Sequence, residues 1–224
     1  MNIRHIIFDC DGVLVDSEPL SMRVDVAILA ESGVVMSLVE AHHRFIGKTF
    51  AAMIAEVEQE FGVRFPADAS AQKDHRLLEL YEVELQPVPG MMAALTEIAM
   101  APYSVASNSP AERVGEALRI TGLTPWFGNR ITTFEHVPRA KPDPDVFIEA
   151  ARRAGTDQAL CLVVEDSVTG VTAAHRAGCP VLGFTGTHHD PRTHARRLRD
   201  AGAGLAFNHM AELPGLVASL RRGN

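Results

Sequence analysis

Four carboxylates stand in two pairs in this sequence, Asp9 with Asp11 and Glu165 with Asp166, and each pair follows a short apolar run. The run Ile3–Phe8 leads into Asp9-Cys10-Asp11-Gly12, and the run Leu160–Val164 leads into Glu165-Asp166-Ser167. Carboxylates gathered out of water repel one another and lose hydration, so they call for a cation. Hard oxygen donors of this kind suit magnesium. Two further segments fit an anion. Ser107-Asn108-Ser109-Pro110 follows the run Tyr103–Ala106 and sets hydroxyls and an amide before a proline suited to a first helical position. A helix start there offers free backbone N–H groups and a positive dipole end to a phosphate. Lys141, in Ala140-Lys141-Pro142-Asp143-Pro144, is the one cation of a short segment stiffened by prolines. Each segment alone also has an ordinary reading. Asp and Gly are common turn residues, Asp and Ser cap helices, and a lone lysine is usually solvated. Together the four segments read as a polar site for a metal and a phosphate. No Gly-x-Ser-x-Gly pattern occurs, and no catalytic histidine is required.

These residues need a scaffold that brings distant segments to one edge. The runs Ile3–Phe8, Tyr103–Ala106, Leu160–Val164 and Val181–Phe184 are continuous rather than alternating, which predicts strands covered on both faces. Arg130–Thr133 and Gly204–Phe207 are weaker candidates. Between them, Met91–Met100, Ala111–Ile120, Pro144–Ala154, Val168–Ala177 and Met210–Leu220 carry helical spacing. Strand alternating with helix predicts a Rossmann-like parallel α/β sheet, whose ligands bind beyond the carboxyl ends of the strands. The alternation breaks between about Ser17 and Gln86. There Leu20–Ser32, Thr49–Phe61 and Ala67–Leu85 read as successive helices, too many residues for an ordinary crossover. We expect a core of residues 1–15 and 87–224 with an inserted helical cap at 16–86, and Pro87 and Pro89-Gly90 marking the return to the sheet.

Composition supports a folded chain of this size. The 224 residues are 46% hydrophobic and 22% charged, enough for a real core. A formal charge of −7 argues against non-specific nucleic-acid binding. No apolar run reaches the ~18 residues of a membrane span. Asp9 and Asp11 interrupt the early apolar stretch, so no signal peptide is expected. Cys10, Cys161 and Cys179 are odd in number and form no Cys-x-x-Cys, which fits a reducing cytosol.

The four segments, in this order and spacing, resemble the motifs of the haloacid dehalogenase superfamily of phosphohydrolases. Asp9-Cys10-Asp11-Gly12 is similar to its first motif, Ser107 to the second, Lys141 within Lys-Pro-Asp-Pro to the third, and Glu165-Asp166 to the fourth. The resemblance covers almost the whole chain. Residues 11–20, Asp-Gly-Val-Leu-Val-Asp-Ser-Glu-Pro-Leu, and the helical insert after the first motif resemble the β-phosphoglucomutase-like subgroup and its sugar-phosphate phosphatases. This resemblance implies a Mg²⁺-dependent phosphomonoester hydrolase acting on small sugar phosphates or related metabolites. Asp9 would be the nucleophile that forms an aspartyl-phosphate, and Asp11 the general acid and base. Mg²⁺ would be held by the Asp9 carboxylate, the Asp11 backbone carbonyl, Asp166 and Glu165. Ser107, the Asn108 backbone and Lys141 would hold the phosphoryl oxygens. The acid at Asp11 argues against dehalogenation, since dehalogenating members lack it. The expected partner is a phosphorylated metabolite, with neither nucleic acid nor membrane, and the protein a monomer or small homo-oligomer.

Phe45-Ile46-Gly47-Lys48-Thr49 resembles the subgroup's cap specificity loop, with Lys48 and Arg44 as candidates to meet an anionic substrate end. A solvated lysine beside a helix start is the plainer alternative. A nucleotide P-loop is excluded, because the glycine it needs five residues before Gly47 is His42. Mutase members carry an arginine where this chain has Phe50 and a histidine where it has Ser21, so hydrolysis is favoured over a phosphoglucomutase-type transfer. A phosphonate-cleaving hydrolase, which needs a Schiff-base lysine in the cap, and a non-catalytic phosphoryl-binding protein are the remaining alternatives. His188, His189, Asp190 and His194 match no strong metal-ligand spacing, and Asp190-Pro191 reads as a helix start.

Overall fold

The computed structural model describes residues 2–45, 48–98 and 102–222. The first strand, β1 (His5–Phe8), is followed by four helices, α1 (Glu18–Glu31), α2 (Leu38–Phe45), α3 (Phe50–Phe61) and α4 (Ala69–Glu84). Alternation then begins: α5 (Met91–Glu97), β2 (Tyr103–Ser107), α6 (Ala111–Ile120), the short α7 (Thr124–Phe127) and β3 (Ile131–Thr133). It continues with α8 (Asp145–Arg153), β4 (Cys161–Glu165), α9 (Val168–Arg176), β5 (Val181–Phe184), α10 (Pro191–Ala201), β6 (Leu205–Phe207) and α11 (Leu213–Arg222). Residues 99 and 100, the end of the expected fifth helix, lie outside the described residues, as do Ile46 and Gly47 of the expected specificity loop.

All six expected strands form, in one parallel sheet ordered β3-β2-β1-β4-β5-β6. Continuous apolar runs become strands here because both faces are covered: every residue of β1, β2, β4 and β5 is buried. One face packs Ile7 and Val163 against Val146, Phe147 and Ala150 of α8 and Val171 of α9. Burying an aromatic such as Phe147 contributes about 1.5–3 kcal/mol. Phe8 sits edge-on to Tyr103 and Phe127, with both centroids at 5.8 Å. The direction of winding reverses beside β1, and a parallel sheet leaves a crevice beyond the carboxyl ends of its strands at such a place.

The chain divides into two compact units, residues 1–16 with 86–224, and residues 17–85. Within the first unit the chain leaves and returns through adjacent segments. The Asp16 N–H donates to the Gln86 carbonyl, and the Val88 N–H to the Leu14 carbonyl, each at 3.0 Å. The second unit has its own core of Leu29, Val34, Ala41, Phe45, Met53 and Val57. Helix α2 was not expected from the sequence. Ser37 and Glu40 form a reciprocal cap at its start, with the Ser37 N–H donating to Glu40 Oε2 at 2.8 Å and the Glu40 N–H to Ser37 Oγ at 3.2 Å. No helix of the described residues is long and apolar enough to cross a membrane.

Candidate active site

Strand register brings the site together. Phe8 pairs with Val105 of β2 on one side and Val164 of β4 on the other, so the residues just beyond emerge level with one another. These are Asp9, then Ala106 and Ser107, then Glu165 and Asp166. The Asp9 N–H donates to the Val164 carbonyl at 3.0 Å, which extends the ladder one residue past β1. The chain then turns sharply at Gly12, whose φ of 77° is a left-handed value that favours glycine. A side chain there would also strike Asp166, since a Cβ on Gly12 would lie 2.3 Å from Oδ2.

Asp9, Glu165 and Asp166 are buried, and one oxygen of each lies within 4.8 Å of the others. Lys141 enters between two of them. Its Nζ donates to Asp9 Oδ1 at 2.7 Å, to Glu165 Oε1 at 2.8 Å and to the Ala106 carbonyl at 2.9 Å. An ammonium has three protons, and all three are engaged. Burial alone would lower the Lys141 pKa, but the carboxylates of Asp9 and Glu165 outweigh it and hold the amine above its ordinary value. Burial pushes Asp9 well above the usual carboxylate range; Lys141 opposes this, while Glu165, Asp166 and Asp11 add to it. The lysine thus offsets only part of the gathered negative charge. A divalent cation fits this donor set: hard, buried oxygens converging on one point and short of positive charge.

The other oxygen of Glu165 is held from the start of α9. Oε2 accepts the Ser167 N–H at 2.7 Å and its hydroxyl at 3.0 Å. Both Glu165 oxygens are therefore engaged. Ser167 also caps α9 as the sequence suggested, accepting the Gly170 N–H at 2.9 Å. Gly170 leaves the room that Glu165 occupies, since a Cβ on it would sit 1.5 Å from Oε1.

The segment after β2 departs from expectation. Its hydroxyls and amide do not cap α6, whose first N–H, on Ala111, donates instead to Glu135 Oε2 at 2.7 Å. The physical reason is that better partners lie on the other side. The Asn108 side chain makes a two-way amide bridge to the backbone of Lys141, at 3.0 and 3.1 Å. Ser107 Oγ accepts the Ser109 N–H at 3.0 Å, which leaves its own hydroxyl proton to donate. The Ser109 hydroxyl donates to Asp11 Oδ2 and accepts from Arg113 Nη2, each at 2.5 Å. Sequence reasoning missed Ser109 as a partner of Asp11 and Arg113 as a partner of Ser109. No local pattern signalled the first contact, which joins segments 98 residues apart.

Arg44 and Lys48 belong to the second unit. There Lys48 Nζ pairs with Glu56 Oε2 at 2.5 Å, and Arg44 pairs with Glu56 Oε1 at 3.1 Å and with Glu60. Cys10, two residues beyond the end of β1, is buried in the core, and burial raises its thiol pKa. Asp190 caps α10 by accepting the Thr193 N–H at 3.1 Å. Among the described residues, the group of metal-ligating type that converges is the carboxylate one, with no histidine in it.

Comparison with known proteins agrees with this geometry. A family model described as haloacid dehalogenase-like hydrolase matches residues 3–178. The chain is 30% identical over 217 residues to 6-phosphogluconate phosphatase of Escherichia coli K12, covering 96% of this chain and 94% of that one. It is 29% identical over 196 residues to hexitol phosphatase B of the same organism, covering 83% and 86%. A conserved haloacid dehalogenase-like protein of unknown function from Agrobacterium tumefaciens superposes with a TM-score of 0.86 at 36% identity, covering 97% of this chain and 99% of that one. Sheet order, converging acids and these matches agree: the chain belongs to the haloacid dehalogenase-like hydrolase family, as an enzyme of the phosphatase type.

Proposed function

We propose that the protein is a Mg²⁺-dependent phosphomonoester hydrolase that works through an aspartyl-phosphate on Asp9 and takes small sugar phosphates or related sugar-acid phosphates. The observation that carries this reading is the Lys141 ammonium bridging Asp9 and Glu165 inside a buried group of three carboxylates at the strand edge. Asp9, Asp166 and the Asp11 carbonyl would hold the ion. Glu165 completes the acidic group, and its two engaged oxygens make it chiefly the residue that fixes Lys141. A bound divalent ion supplies positive charge to the phosphoryl oxygens.

The residues of the chain do the rest. With Oδ1 held by Lys141, Asp9 attacks phosphorus through Oδ2 as the ester P–O bond breaks. Asp11, steadied by the Ser109 hydroxyl, gives its proton to the leaving oxygen. As a carboxylate it then takes a proton from the water that attacks the acyl phosphate, releasing phosphate and restoring Asp9. The Ser107 hydroxyl, the Asn108 N–H and Lys141 hold the phosphoryl oxygens, with Lys141 exchanging one of its three present acceptors for them. The helical unit serves as the cap in this reading, and substrate choice rests with it. Similarity to a 6-phosphogluconate phosphatase and a hexitol phosphatase supports the substrate class. A cytosolic setting goes with it, supported by three buried cysteines that are all free. The phosphonate-cleaving alternative is not favoured: Lys48 and Lys73, the lysines of the second unit, are paired with Glu56 and Asp25.

The test is phosphate release across a panel of sugar phosphates, with and without Mg²⁺. Asp9→Asn should fall to background, and Asp11→Asn by about 10²–10⁴-fold, both remaining folded. An Asp9→Asn protein as active as wild type would remove the nucleophile and the reading with it.

A further inference from the structure

We infer that the loop between β5 and α10 is a brace for the metal-side carboxylate, with His188 as the positioning residue of Asp166. This rests on the Mg²⁺ reading above and goes beyond it, because neither the four motifs nor the ligand group includes this loop. Three side chains reach the site, Thr187 and His188 from the loop and His194 from the first turn of α10. The Thr187 hydroxyl donates to the Gly12 carbonyl at 3.0 Å. His188 Nε2 lies 3.3 Å from Asp166 Oδ2. His194 Nε2 lies 2.5 Å from the Asp166 carbonyl oxygen. A carbonyl oxygen only accepts, so His194 carries its proton on Nε2, and the same argument puts an N–H of His188 toward an ionised Asp166. The two rings stack, with centroids 3.6 Å apart and planes 21° apart. Asp190 anchors the segment by capping α10.

Asp166 is thereby held at its backbone by His194 and at its carboxylate by His188. It is also flanked by Gly12, where no side chain fits beside Oδ2. The histidines are not themselves in the converging ligand group, so they act through Asp166. A carboxylate fixed before the ion arrives loses less rotational freedom on binding it. Outer partners of this kind typically change metal affinity by about 10–100-fold.

The test is calorimetric titration of Mg²⁺ into the substrate-free full chain, with melting temperatures measured without metal. His188→Ala should weaken Mg²⁺ binding by about 10–100-fold while leaving the metal-free melting temperature near wild type. His188→Phe keeps a ring to stack on His194 and removes only the donor, so it should lose affinity equally. His188→Gln restores an N–H of similar reach and should recover most of the affinity. Wild-type affinity in the Phe variant, or in a folded Ala variant, overturns the inference and leaves the functional reading standing. Failure of the wild-type chain to bind Mg²⁺ overturns both.

Discussion

Lys141 and Lys48 are the same side chain in opposite circumstances. At the strand edge, the Lys141 side chain is 3% exposed and sits between Asp9 and Glu165. In the helical unit, Lys48 is 38% exposed and faces Glu56, which shares its charge with Arg44. Both lysines make close ion pairs, the Lys48 pair no longer than those of Lys141, and their consequences differ. Water competes for every partner of Lys48, and salt screens the attraction. Little water competes for Lys141, so removing it leaves carboxylates buried without compensation. Distance alone does not rank these pairs; burial does. The strand edge holds its charges because the fold forces them there, and this is where substrate charge can be met strongly.

The sharpest way to break that contrast is Lys141→Met. Breaking a buried pair by removing one partner costs about 3–5 kcal/mol of stability, and here two carboxylates lose their cation together. Phosphate release should fall to background, and the melting temperature should drop by many degrees. Mg²⁺ should recover part of the lost stability by replacing some of the missing charge. A Lys141→Met protein as stable as wild type would mean that the gathered carboxylates do not depend on it.

Glycine substitutions sharpen the same point without touching a charge. In a helix interior, Gly→Ala ordinarily stabilises by about 0.5–1 kcal/mol. Gly115 in α6 has nothing within 4 Å of the added Cβ, so Gly115→Ala should raise the melting temperature. Gly170 in α9 faces Glu165, whose carboxylate occupies that space, so Gly170→Ala should destabilise by about 1–3 kcal/mol and reduce turnover by displacing Lys141. Two melting curves with opposite signs are the expected outcome; a gain in both would show that Glu165 moves aside without cost.

His5 gives a smaller, pH-dependent effect within the same unit. It is buried on β1 beside the Ser104 hydroxyl, 2.8 Å from Nε2, and burial followed by the nearby Arg130 charge lowers its pKa from 6.5 to about 4. The unfolded chain then binds this proton more readily than the folded one. Its contribution to stability is complete above pH 6.5 and is lost as pH falls toward 4. At about 1.4 kcal/mol per pKa unit the loss is bounded near 3.5 kcal/mol, and roughly 2 kcal/mol after screening by water. Denaturant unfolding between pH 7 and 4 should show this slope in wild type and a shallower one in His5→Asn.

The sheet and the four motif segments were legible in the sequence because their signals are local. Buried parallel strands read as unbroken apolar runs, and Asp9, Glu165 and Asp166 stand directly after such runs. What was not legible depended on contacts between segments. Ser109 and Asn108 read as helix-capping residues, yet their side chains turn to Asp11 and to the Lys141 backbone, partners 98 and 33 residues away. His188 and His194 read as a cluster without a metal pattern, and their contacts to Asp166 exist only once β4 and β5 lie side by side. Helix α2 was missed for a different reason. Its eight residues are short for a periodicity argument, although Ser37 and Glu40 carried a local capping signature.

The smallest expected effect closes the contrast from the other end. A double-mutant cycle of Lys48→Met and Glu56→Gln isolates the pair's coupling, because each single change removes the contact and the double change removes it only once. Glu56 also accepts from Arg44 Nε, so losing Lys48 leaves that carboxylate partnered and wet. The cycle should therefore give a coupling of at most about 0.5 kcal/mol in denaturant unfolding, and raising the salt concentration should shrink it toward zero. The same cycle on Lys141 and Glu165 should give a large coupling that salt barely alters, since no counterion reaches the interior. If the Lys48 cycle proved as strongly coupled as the Lys141 one, burial would not be what separates the two regions. The organisation of the helical unit would then depend on charge as closely as the strand edge does.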